Sequence, residues 1–144
     1  MQVEINEETL QDIINIETGL LAPLDGFMRE EDFRSVVGQY SMADGQVFTI
    51  PVTLDVPEGI YKNLPIGSEL YLLKEGKVVA SILAESKYVM SEEDIEKVFC
   101  TLDDRHPGVA KEKGRSPYRV GGKTKLIERR YLEGALKPEN TKRI

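Results

Sequence analysis

The spacing of apolar residues changes along this chain, and each change marks a different kind of element. Leu10, Ile13 and Ile14 share one side of a helical wheel. Asn6 precedes them with a side chain suited to cap the free N–H groups of a first turn, so a helix is predicted over about residues 7–18. Gly19 is placed to stop it. The run Leu20-Leu21-Ala22-Pro23-Leu24-Asp25-Gly26-Phe27-Met28 is apolar yet broken by proline and glycine, and reads as a buried loop. Phe33, Val36, Val37 and Tyr40 then recur at i, i+3, i+4 and i+7, which predicts a second helix.

From Phe48 the period becomes two. Phe48, Ile50, Val52, Leu54 and Val56 alternate with Thr49, Pro51, Thr53 and Asp55, the pattern of a half-buried strand with its even positions inward. Pro51 cannot donate to a ladder, so this strand belongs at an edge or a bulge. Residues 70–73 and 78–83 flank Lys74-Glu75-Gly76-Lys77 and predict a hairpin. Ser91-Glu92-Glu93-Asp94 resembles a capping box that starts a short helix with Ile95, Val98 and Phe99 inside. Residues 118–128 return to strand chemistry. The expectation is one α+β domain, its short and mostly antiparallel strands closing a small barrel.

Composition narrows the class. The chain has 144 residues, 40% hydrophobic and 31% charged, which suits a single globular domain. No apolar run approaches the roughly 20 residues of a membrane-spanning helix. The start, Met1-Gln2-Val3-Glu4, shows no basic-then-apolar leader, so the expected location is the cytoplasm. One cysteine excludes an internal disulfide, and one histidine with no cysteine–carboxylate set nearby gives no metal-ligand spacing.

The net charge of −6 argues against nonspecific binding to nucleic acid. The charge is uneven, however. Residues 105–144 hold twelve Lys or Arg against four Glu, a bias that suits an anion, RNA or an acidic partner surface.

Certain segments occur in a telling order. Pro23-Leu24-Asp25-Gly26-Phe27-Met28 comes first, then Ala43-Asp44-Gly45 and Ile50-Pro51-Val52-Thr53-Leu54-Asp55-Val56. A short helix ending in Val98-Phe99 follows, then Thr101, Asp104, His106-Pro107-Gly108-Val109, Tyr118 and Gly121-Gly122-Lys123. Over nearly the whole chain this ordering resembles the N-terminal domain of the ATP sulfurylase (sulfate adenylyltransferase) family.

The resemblance implies a PUA-like small β-barrel with N-terminal and inserted helices over residues 1–131, and a connector-like tail over 132–144. Cys100 departs from the glycine usual in that family, a change that bears on the helix exit. In the tail, Lys137 and Lys142 depart from the connector pattern. The family's Q-x-R-N-P and H-x-x-H nucleotide segments do not occur here, and a single histidine makes the second impossible.

In that family, sulfate and ATP give adenosine 5′-phosphosulfate and pyrophosphate. The resemblance implies that this chain supplies the non-catalytic domain or subunit, with no catalytic residue, metal or cofactor of its own. Its implied partner is a separate or missing nucleotidyltransferase domain.

The candidates for anion or interface contact are Arg105, His106, Arg119 and Lys123, with Pro107, Gly108, Gly121 and Gly122 as structural motif positions. For His106 the favoured reading is structural, its imidazole bonding loop backbone, and the other is an anion or interface contact. Gly121-Gly122-Lys123-Thr124 is no phosphate loop, since Pro117 stands where that template needs glycine. The glycine pair marks a bulge or a close backbone approach instead. Cys100 reads as a small core residue. An alternative function is a stand-alone PUA-like module binding RNA or an anion, with Tyr118 beside Arg119 as a stacking platform.

Overall fold

The structure is a computed structural model, and residues 1–39 and 51–131 are described. In chain order the elements are β1 (Gln2–Glu4), α1 (Glu7–Glu17), β2 (Gly26–Phe27), α2 (Glu30–Gln39), β3 (Leu54–Asp55) and α3 (Glu58–Asn63). After them come β4 (Glu69–Lys74), β5 (Lys77–Leu83), β6 (Ser86–Val89), α4 (Glu92–Phe99), α5 (Pro107–Lys113) and β7 (Tyr118–Leu126). The domain is α+β. Its seven strands make one mixed sheet that curls into a half-barrel, with β1 on β4 the parallel pair among the described residues.

β7 organises the sheet. Along one edge it pairs with β6 and then β5, and along the other with β3 and β2. Such crowding needs missing side chains. A methyl group on Gly121 would overlap the Met28 carbonyl, and one on Gly122 the Leu83 carbonyl. Gly122 also has a φ of +152°, which side chains other than hydrogen rarely allow. The glycine pair is thus a close backbone approach.

The concave face of the sheet is filled from α1. Leu10, Ile13 and Ile14 pack against Leu70, Leu72, Ile82 and Leu126, all buried. Asn6 caps this helix by accepting the Thr9 N–H at 2.8 Å. A second apolar cluster joins Phe33 of α2, Tyr88 of β6, Ile95 and Val98 of α4 and Val109 of α5. Tyr88 is buried and its hydroxyl donates to the Met28 carbonyl at 2.7 Å. Burial pushes that phenol well above its ordinary range.

Some expectations need correction. Leu20 is 72% exposed, so the segment before β2 is a surface turn that goes inward only from Leu24. The alternation expected from Phe48 forms a ladder at Leu54–Asp55 among the described residues, with Phe48, Thr49 and Ile50 outside them. Leu54 and Val56 are in the core as expected, but Thr53 is buried too, beneath Arg119. Cys100 is exposed rather than packed in the core. Tyr40, Ala43-Asp44-Gly45 and the tail at 132–144 also lie outside the described residues.

Candidate functional site

The four candidate contact residues fall in separate settings. Arg105 and His106 lie between α4 and α5. Arg105 is 91% exposed at its side chain and forks onto Asp103, whose carboxyl this contact holds below its usual range. His106 begins α5, where sequence had placed only a loop. Its Nδ1 accepts the Gly108 N–H at 3.1 Å, which caps the helix, and its ring lies 5.1 Å from that of Phe99. Pro107 occupies the first turn, where its missing N–H costs nothing. Gly108 is required by contact, since a Cβ there would meet the Phe99 ring at 2.5 Å.

Arg119 was expected at the surface and is instead only 1% exposed. Its Nε donates to the Ser116 carbonyl at 2.9 Å and one terminal nitrogen to the Thr53 hydroxyl at 2.7 Å. The other donates to Glu112 at 3.1 Å. Arg115 stands beside it, bonded to the second Glu112 oxygen at 2.9 Å and to Asp55 at 3.0 Å. Two cations and two carboxylates thereby tie α5 to β3 and β7.

Burial, and after it the Arg115 charge, press the Arg119 guanidinium below its usual value. Burial opposes the charge on Arg115 as well, but Glu112 and Asp55 outweigh it and hold that group above its usual value. Every member has a partner, so this cluster is a fastening. Tyr118 meets the Tyr61 ring at 4.8 Å rather than forming a platform with Arg119.

Lys123 is different. It stands on β7 with Lys125, both exposed, and together they border an open groove of about 420 Å³. Glu17, Glu69, Ser81, Leu83 and Thr124 complete its lining. The backbone N–H of Lys123 donates to Glu85 at 2.8 Å, and Arg29 bridges Glu85 at 2.5 Å to Asp25 at 3.1 Å. Sequence reading missed this groove because Ser81 and Thr124 carry no motif. The β5–β7 register that brings Ser81 beside Lys125 was the only route to it.

Among the described residues, most of the basic C-terminal third is internally neutralised. Lys111 pairs with Glu8, Lys113 with Asp104, Arg129 with Glu17 and Arg130 with Glu128, besides the Arg115 and Arg119 cluster. Lys123 and Lys125 have no ion pair among the described residues. Those residues also hold no group of three or more His, Cys, Asp or Glu placed to bind a metal, and no helix among them is long and apolar enough to cross a membrane.

A half-barrel built on a crossing strand, with helices inserted between its strands, defines the class. The model of the PUA-like domain family matches residues 1–129, and the chain belongs to that family. Its relatives narrow the branch. It is 36% identical to the sulfate adenylyltransferase of Halothermothrix orenii, over 89% of this chain and 34% of that protein. It is 37% identical to the sulfate adenylyltransferase of Hyperthermus butylicus, over 81% of this chain and 30% of that protein.

A probable bifunctional SAT/APS kinase 2 of Sorangium cellulosum is 34% identical over 88% of this chain and 22% of its own length. The chain therefore spans about a third or less of the curated relatives it matches. A solved structure, the hexameric APS kinase from Thiobacillus denitrificans, superposes with a TM-score of 0.62 at 17% identity, over 87% of this chain and 21% of that one. That likeness establishes the fold alone.

Proposed function

We propose that this PUA-like domain is the non-catalytic part of a sulfate-activating adenylyltransferase, and that it supports a catalytic domain lying outside these 144 residues. The observation that carries the reading is the lopsided coverage. Nearly all of this chain aligns with only 30–34% of two sulfate adenylyltransferases. The charge chemistry agrees with it. Joining sulfate to an adenylyl group needs unspent donors around phosphates. The guanidiniums of Arg105, Arg115 and Arg119 are instead committed to carboxylates of this same domain.

The test is sulfate-dependent pyrophosphate release from ATP by the purified chain alone. The expected result is no release above a protein-free blank. Release that depends on sulfate and survives rigorous purification would overturn the proposal.

A further inference from the structure

We draw no further inference here: the strongest candidate, the groove of about 350 Å³ between the end of β6, the start of α4 and the end of α5, belongs to the fastening already described, because the Arg115, Arg119 and Glu112 side chains that line it are bonded to one another and to Asp55, Thr53 and Ser116.

Discussion

Arg119 shows how a single residue decides between an exposed site and a structural one. Alternation along β7 places it opposite Val120, where an arginine is expected to meet solvent, but α5 covers that side and brings Glu112 to it. No local pattern announces this, because the partner lies on another element and the burial is tertiary. Replacing Arg119 with Met removes the charge and leaves Glu112 with Arg115 alone. Urea denaturation should record a loss of about 3 kcal/mol, the low end for breaking a buried pair because one partner remains. A loss below about 1 kcal/mol would show that the cluster is not a fastening.

Asp12 makes a second residue-level test, this time of sign. Burial raises its carboxyl, with Glu8 adding to the effect, while Arg115 and Lys111 only partly oppose it. The folded state therefore holds that proton more tightly than the unfolded chain, whose value is about 3.9. Its contribution to stability is present below that value and is lost as pH rises through the raised native one. Asp12→Asn should be more stable than the parent at neutral pH, with the difference vanishing near pH 3, as thermal melts across pH will show. A variant less stable at neutral pH would reverse the assignment.

At the scale of elements, the sequence spoke clearly wherever a regular apolar stripe met a recognisable end. α1, α4 and the β4–β5 hairpin have both, while α2 and β7 were read from their side-chain pattern alone. Glu75 and Gly76 take φ of 53° and 79°, the left-handed pair that a two-residue hairpin loop demands. α3 went unread because it buries no residue and so carries no stripe. α5 hid behind Pro107 and Gly108, poor helix formers inside a chain but suited to a first turn tucked under Phe99. β1, β2 and β6 have three, two and four residues, too few for alternation to register.

The candidate site was legible only in part. Lys123 was visible as a charge, while Ser81 comes to the same groove by a strand pairing no local pattern predicts.

The end of α4 carries a testable cost. Cys100 closes that helix with φ of 61° and ψ of 20°, a left-handed conformation that glycine adopts without a Cβ penalty. Cys100→Gly should stabilise the domain by about 1 kcal/mol, the left-handed strain relieved less the extra freedom glycine brings to the unfolded chain. A lower urea midpoint in the variant would mean that the cysteine side chain contributes more there than its backbone costs.

For the whole molecule, charge is the organising fact. The chain is acidic in sum and basic toward its C-terminal end, yet among the described residues that basic character is mostly spent in pairs that join α5 and the end of β7 to the rest of the domain. Among the described residues of that third, the β7 lysine pair faces outward without an ion pair. On the function proposed above, a domain arranged this way holds a neighbour, and its fastened arginines leave the chemistry to that neighbour.

The most direct measurement is a graft. The aligned third of the Halothermothrix orenii sulfate adenylyltransferase is replaced by residues 1–131 of this chain, and sulfate-dependent formation of adenosine 5′-phosphosulfate is assayed. The account predicts an active, folded chimera, and an inactive companion when the same enzyme carries no domain at that position. A chimera that folds but makes no product, or an enzyme fully active without any such domain, would contradict it.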